Sequence, residues 1–572
     1  MHVVATAGHV DHGKSTLVLA LTGTDPDRFA EEKRRGLTID LGFASTVLPS
    51  GRTLSFIDVP GPIKFLRNML AGVGSVNACV FVVAATEGWK PQSEEHLRIL
   101  DLLGIQRGII AITKADAVDA DDLELVQLMI ADQVAGTFLA DAPMVPVSSH
   151  TGAGMGELIA AIDAMLTTTP PAADRQRARL WIDRVFAAKG AGTVVTGTLI
   201  DGSLAVGDHV LCEPGHKPAR VRSIQTRHHA ADTVEPGNRV AINLSGIDFH
   251  DLQRGDAVVA PDLWHSTARF DASLTVLASL SHDVSRRGAY ELYIGSGEYR
   301  AKLRVLGAET LKPGTTGAVR LHINAPVTVL PGDRFIVRES GRNETVGGGE
   351  ILDVAPARPA SKTTPSKDPQ HIVDTRGWVD VDEFTRLTGE RRPATIGRWI
   401  TTAESVTRIT EKIRSEISAS DQFGLDVASL NDRERLVIDT LDGVVVIDGR
   451  ATFGDKPDPL AGHPYLLALA QNPFSPPAPD GVDKAELREM LRKKLAFERE
   501  GIYFSPTAIA AAARHAAQLL ASNPDGFTAA QLRDALGTSR KYLIPLINEL
   551  DGQGITRRRG DIRIGGPRLP AN

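Results

Sequence analysis

Cysteine is almost absent from this chain, with two residues, Cys79 and Cys212, in 572. A disulfide framework is excluded, and the usage fits a reducing compartment. Long apolar runs are missing too; none approaches the roughly 20 residues that a membrane-spanning helix needs. The N-terminus runs straight into an apolar strand, "HVVATAG". No basic region followed by a long apolar stretch precedes it, so no signal peptide is expected. Nor is there a large excess of one charge. The net charge is −6 with 23% charged residues, so any nucleic-acid surface must be local rather than global. These absences lead us to expect a cytoplasmic protein with no membrane contact. A length of 572 residues is too great for one core and suits three to five domains.

Residues 1–172 alternate short apolar runs ("HVVATA", "TLSFIDV", "ACVFVVAA", "GIIAIT") with amphipathic stretches such as "SEEHLRILDLLG". That alternation predicts a doubly wound α/β domain with a parallel sheet. "TTTPPAAD" (167–174) reads as a linker. Short β-rich runs punctuated by Gly and Pro follow, and they predict two small β-barrels over 175–262 and 268–356. "APARPASKTTPSKDPQ" (355–370) is poor in apolar residues and reads as a second linker. Residues 371–572 then carry helices with short turns and a few strands, with room for about three winged-helix units, the last over 515–566. In that last unit "TAAQLRDALGTSRKYLIPLINELDGQGITRRRGDIRI" (528–564) reads as helix, turn, helix and two short strands. The fold class expected is therefore multidomain: a P-loop α/β domain, two β-barrels and a tandem winged-helix region.

The first chemistry-bearing motif is "GHVDHGKS" (8–15), directly after the first strand. It has the Gly-x4-Gly-Lys-Ser/Thr spacing of a phosphate-binding loop. Gly8, Val10, Asp11, His12, Gly13, Lys14, Ser15 and Thr16 form the expected cradle. The glycines let successive N–H groups face one anion, Lys14 reaches the terminal phosphates, and Ser15 offers a hydroxyl to Mg²⁺. The following helix adds the positive end of its dipole. Three further stretches fall in order at later strand ends. In "DVPG" (58–61), Asp58 is placed to hold Mg²⁺ through water and Gly61 to donate to a γ-phosphate. In "TKAD" (113–116), Thr113 ends the strand, Lys114 is suited to lie along a base, and Asp116 offers two acceptors to the N–H groups of guanine. In "SSH" (148–150), Ser148 and Ser149 close over the base. Asp116 alone would more often be a helix cap; four motifs at the carboxyl edge of one sheet make a nucleotide site. "EEKRRGLTIDLGF" (31–43) reads as a nucleotide-dependent switch, with Thr38 completing the Mg²⁺ shell when a γ-phosphate is present. Taken alone, that stretch is also compatible with a solvated loop.

With "KGAGTVVTGTLIDGSLAVGD" in the first barrel, these motifs resemble translational GTPases. The chain is most similar to the bacterial selenocysteine-specific elongation factors, whose last winged helix "RKYLIPLINELDGQGITRRRGD" resembles. The resemblance implies elongation factor Tu-like domains, GTP and Mg²⁺ as ligands, and a monomer. It also implies delivery of selenocysteinyl-tRNA to the ribosome at UGA codons, with an mRNA hairpin as anchor. By the same resemblance, Arg184 in "WIDRVF" and Arg239 in "GNRVAINLSG" fall where the family contacts the selenol. A selenol is more acidic than a thiol and is ionised at neutral pH, so fixed cations suit it. Read without the resemblance, either arginine is a rim salt bridge. Arg557, Arg558 and Arg559, with Arg540 and Lys541, fall where the family grips its hairpin. Residues 526–572 hold eight Lys and Arg against four Asp and Glu, and Arg563 adds to the positive edge. A solvated wing or a DNA-binding wing would look similar.

One position departs from the pattern. The family places histidine after "DVPG", where it orients the attacking water; here the residue is Pro62. Proline has no polar side chain and no N–H, so it cannot perform that role, and no catalytic residue is assigned. A GTP-gated, hairpin-binding regulator with impaired hydrolysis is the alternative this keeps open.

Overall fold

The structure is a computed structural model; it describes residues 2–26, 42–58, 76, 78–188, 192–227, 229–454 and 457–570. The chain divides into two compact units, 1–402 and 403–572.

The first unit opens with a six-stranded sheet. Its strands are β1 (His2–Gly8), β2 (Gly42–Val47), β3 (Thr53–Asp58), β4 (Ala78–Ala84), β5 (Gly108–Thr113) and β6 (Met144–Pro146). The order is β2-β3-β1-β4-β5-β6, with β2 antiparallel at one edge and the other pairings parallel. β4 and β5 are buried along their whole length, as parallel strands covered on both faces must be. Helices α1 (Lys14–Thr22) and α4 (Met155–Thr168) pack on one face through Leu17, Val18, Leu158 and Ile162. On the other face, α2 (Pro91–Leu102) and α3 (Ala120–Val134) pack through Leu97, Leu100, Val126 and Ile130. The chain order reverses at β1, which lies between β3 and β4. That switch point opens a crevice at the carboxyl ends of the strands.

Two barrels follow. The first closes because the strand Lys217–Thr226 pairs with both His209–Glu213 and Arg239–Ser245. Leu180, Ile182, Val195, Val210, Ile242 and Leu244 fill it. The second is a closed six-stranded barrel from Ser266–Val276 to Glu344–Asp353. Its glycine run answers a close strand approach: a Cβ on Gly349 would lie 1.9 Å from the Ser273 carbonyl oxygen. The barrels are tied by Arg179, whose guanidinium meets both Asp333 oxygens at 2.6 and 2.8 Å.

The composition break at 355–370 is not where the chain separates. Ile372, Val373, Val379, Phe384, Leu387 and Ile400 join the core cluster of the second barrel, so 369–402 belongs with it. In the second unit, helix–turn–helix segments alternate with small sheets: Leu425–Asp426 with two more strands, Phe497–Arg499 with Ile502–Phe504, and Phe527–Thr528 with two more strands. The last segment has helices Ala529–Leu536 and Arg540–Gly552 and the ribbon Thr556–Arg559/Ile562–Gly565, the arrangement expected from the sequence. Among the described residues, no helix is long and apolar enough to cross a membrane.

Candidate functional site

The phosphate loop connects β1 to α1 and is held in shape by conformations few side chains tolerate. Gly8 has φ 135, and a Cβ there would sit 2.1 Å from the Val82 carbonyl oxygen of β4. Gly13 has φ 83 and Asp11 φ 62, both left-handed. Two of the loop N–H groups are held by side chains of α2: Gly8 N donates to His96 Nδ1 at 3.1 Å and Val10 N to Gln92 Oε1 at 2.8 Å. Lys14 lies over its own loop, donating to the Gly8 and His9 carbonyls at 3.1 and 2.7 Å. His12 is buried; desolvation pulls its pKa down to about 4, so the imidazole is neutral.

The later motifs converge on this loop. Asp58, fully buried at the end of β3, accepts from Ser15 Oγ at 2.6 Å and from Thr6 Oγ1 at 2.5 Å. A hydroxyl and a carboxylate oxygen side by side beneath a phosphate loop are the hard donors a magnesium ion takes, so the residues present fit that ion. Thr113 Oγ1 donates to the His12 carbonyl at 2.7 Å, which ties the end of β5 to the loop. Lys114 has φ 55 and meets Glu87 at 3.1 Å. The Ser148 hydroxyl, followed by the local backbone N–H, holds the exposed Asp116 carboxyl below its ordinary range. Ser148 is itself buried and Ser149 half-buried, so the motifs at 113–116 and 148–150 form one rim. Thr38, Gly61 and Pro62 lie outside the described residues, as does most of the switch stretch at 31–43.

Gln92, His96 and Glu87 were not anticipated from the sequence. Gln92 and His96 are one helical turn apart on α2, and the i, i+4 spacing of two polar residues within an amphipathic run was the available signal.

A second site lies where β2 and β3 face the first barrel. A cavity of about 380 Å³ is lined there by Phe43, Ser55, Arg184, Thr196, Arg227 and Arg239, among others. Arg184 and Arg239 come together because their strands both pair with Gly192–Ile200, Arg184 opposite Thr196 and Arg239 opposite Thr198. Arg239 makes two bonds to Asp183, one of them 3.0 Å from Nη2 to Oδ1, and stacks 3.6 Å above the Phe43 ring. Thr196 Oγ1 donates to the same carboxylate at 2.6 Å. Arg239 is therefore a barrel-rim salt bridge and a cavity-lining cation at once. Asp183, which fixes its direction, had no signal beyond adjacency to Arg184.

In the last winged segment Arg557, Arg558 and Arg559 are exposed on the ribbon, and Arg540 and Lys541 are exposed at the start of the helix Arg540–Gly552. Arg563 differs: it is buried and paired with Asp551 at 3.0 Å.

Known proteins align with each of these parts. Residues 1–168 match the elongation factor Tu GTP-binding domain and 192–259 match elongation factor Tu domain 2. Residues 271–358 match the β-barrel domain of selenocysteine-specific elongation factor, and 518–564 the winged helix of elongation factor SelB. The selenocysteine-specific elongation factor of Desulfomicrobium baculatum is 42% identical over 61% of this chain and 55% of that protein. Its Escherichia coli counterpart is 35% identical over 62% and 56%. The chain thus spans about half the length of these curated relatives. Elongation factor 1-alpha of Methanobrevibacter smithii is 30% identical over 62% of this chain and 98% of its own length. A crystal structure of bacterial selenocysteine-specific elongation factor EF-Sec superposes with TM-score 0.72 and 27% identity, covering 99% of this chain and all of that one. SelB of Methanococcus maripaludis with the GTP analogue GppNHp gives TM-score 0.55 and 25% identity over 62% of this chain and 80% of its own.

Proposed function

This chain belongs to the translation elongation factors, in their selenocysteine-specific family, and we propose that it is a GTP-switched carrier of selenocysteinyl-tRNA anchored at UGA codons by an mRNA hairpin. The carrying observation is the cavity between the nucleotide domain and the first barrel, where Arg184 and Arg239 line one space of about 380 Å³. That volume falls in the range of roughly 300–1,000 Å³ of small-ligand sites and suits an aminoacyl group. A hairpin-binding regulator would need no such seat.

GTP enters the crevice at the β1 switch point. Lys14 exchanges its loop carbonyls for the terminal phosphates, and the N–H groups from Asp11 to Thr16 meet the same anion, those of Gly8 and Val10 being held by His96 and Gln92. Asp116 accepts from the guanine edge while Ser148 holds it in place. Ser15, Asp58 and Thr38 would hold Mg²⁺, which would supply positive charge to offset that of the phosphates. The cavity takes the aminoacyl end. Arg184 supplies the cation for the selenolate, and Arg239, directed by Asp183, completes the field. Charged donors to an anion are worth about 1.5–3 kcal/mol, which is roughly 10- to 150-fold in preference for a selenolate over a serine hydroxyl. Arg557–Arg559, Arg540 and Lys541 hold the hairpin phosphates, and tethering raises the local concentration of the factor at one codon. The work is done by a monomer on the ribosome, in the cytoplasm.

The test is binding of the GTP form to selenocysteinyl-tRNA and to the same tRNA carrying serine. At least a tenfold preference for selenocysteine, lost in Arg184→Ala, is expected. Equal binding of the two would remove the proposal.

A further inference from the structure

Away from the nucleotide crevice and the Arg184–Arg239 cavity, one set of charges has no role in this scheme. The segment entering the first barrel carries Arg175, Arg177 and Arg179. Gln176 sits at φ 56, and on either side of it the N–H groups of Arg175 and Arg177 both donate to the Asp201 carbonyl at 3.0 Å. Gly202 permits this approach, since a Cβ there would lie 2.3 Å from the Ala178 nitrogen. The roots of the arginines are therefore fixed.

Their partners differ. Arg179 is buried but neutralised, bonded to both Asp333 oxygens and 3.3 Å from Asp201. Arg177 is 2% exposed and reaches only carbonyl oxygens, Leu263 O at 2.5 Å and Thr385 O at 3.4 Å. It stacks 4.4 Å from the Trp264 ring, which Arg179 shares at 4.6 Å, and its Nε has no hydrogen-bond partner. Burial and the neighbouring Arg179 pull its pKa down to about 10, against the partial offset of Asp201 and Asp333. A buried cation of this kind is costly unless an anion meets it.

Beside Arg177 lies a cavity of about 190 Å³, lined by Arg175, Arg177, Leu263, Thr385, Gly389 and Arg391. Three of its walls are arginines and none is a carboxylate. The volume is below the roughly 300–1,000 Å³ of small-ligand sites, so the occupant is compact. Arg175, paired with Asp201 at 2.9 Å, keeps 61% of its side chain exposed, and Arg391 is exposed beside Glu390. The helix Val381–Thr388 ends here, and its carbonyl dipole opposes an anion. Arg177 shields it by bonding the Thr385 carbonyl.

We propose that this cavity binds a compact oxyanion of the phosphate class, held by Arg175, Arg177 and Arg391. Arg175 and Arg177 come from the segment before the first barrel, and Arg391 from the helical segment after the second. The anion is thus a staple between them. It is either free phosphate or one phosphate of an RNA backbone.

The first experiment is isothermal titration of inorganic phosphate into the full chain saturated with GDP and Mg²⁺, at constant ionic strength. A saturable site is expected, weakened at least tenfold by Arg391→Glu and retained by Arg391→Lys, with GDP affinity unchanged in both. Absence of saturable binding, or equal affinity in wild type and Arg391→Glu, overturns the proposal. The second experiment compares tRNA affinity of wild type and Arg391→Glu across a salt series. A slope of log affinity against log salt that is shallower by about one assigns the site to a backbone phosphate, and an unchanged slope assigns it to the free ion. The phosphate titration involves no aminoacyl-tRNA, so it stands or falls apart from the delivery reading.

Discussion

Replacing Arg239 by methionine separates two roles that the side chain combines. Asp183 has only 6% of its side chain exposed and depends on three bonds, two from Arg239 and one from Thr196. Arg239→Met leaves that carboxylate with Thr196 alone. Removing one partner of a buried ion pair typically costs about 3–5 kcal/mol. Here the surviving Thr196 bond and the adjoining cavity reduce the cost, and about 2–3 kcal/mol is expected. The chain is multidomain, so a single unfolding curve is a poor readout. Hydrogen exchange of the backbone amides in the strand Arg239–Ser245 reports the barrel locally. Asp183→Asn combined with Arg239→Met removes the stranded charge and should return exchange to within about 1 kcal/mol of wild type, a non-additivity that contact between the residues requires. In that stabilised double variant the cation is still missing, so affinity for selenocysteinyl-tRNA should fall about tenfold or more while seryl-tRNA binding holds. A loss below about 0.5 kcal/mol in Arg239→Met refutes the buried-pair account. Full selenocysteine preference in the double variant would make Arg239 a rim tie only and leave selectivity to Arg184.

Three other outcomes follow from named residues. Pro62→His should raise ribosome-stimulated GTP hydrolysis at least tenfold, about 1.4 kcal/mol of barrier, in a single-turnover assay; equal rates would show that Pro62 does not limit the chemistry. His12 has a folded pKa of about 4 against an ordinary 6.5, so its neutral form belongs to the fold. Its contribution is complete above pH 6.5 and is lost as pH falls toward 4, by roughly 2–3 kcal/mol. Hydrogen exchange around the phosphate loop should accelerate across that window, and His12→Gln should abolish the dependence. Replacing Arg557, Arg558 and Arg559 by alanine should weaken hairpin binding at least a hundredfold at low salt and flatten its salt dependence by two to three units, with GTP affinity unchanged; an unaltered salt slope would take the hairpin off this ribbon.

The parts legible in the sequence are those whose chemistry is local. The motif at 8–15 follows a strand and precedes a helix, and its glycines are the residues that Gly8 at φ 135 and Gly13 at φ 83 require. Asp58, Thr113 and Ser148 were placed because strand ends in a parallel sheet share one edge. What could not be read is which charge meets which. Arg177, Arg179, Arg184, Arg239 and Arg563 look alike in the chain. The fold gives Arg179 two carboxylates and Arg563 one, and it leaves Arg177 only carbonyls. The positive count at 526–572 therefore overstates the surface available to RNA by at least the buried Arg563. The composition break at 355–370 misleads for a related reason. Polar composition reports exposure of a segment, whereas the association of 369–402 with the second barrel rests on Ile372, Val373 and Phe384 beyond it. Pairing and packing between distant segments decide both cases. They also decide which arginines remain available for ligands: those that bond only carbonyls, as Arg177 does, or that line a cavity while tied to a carboxylate, as Arg239 is to Asp183.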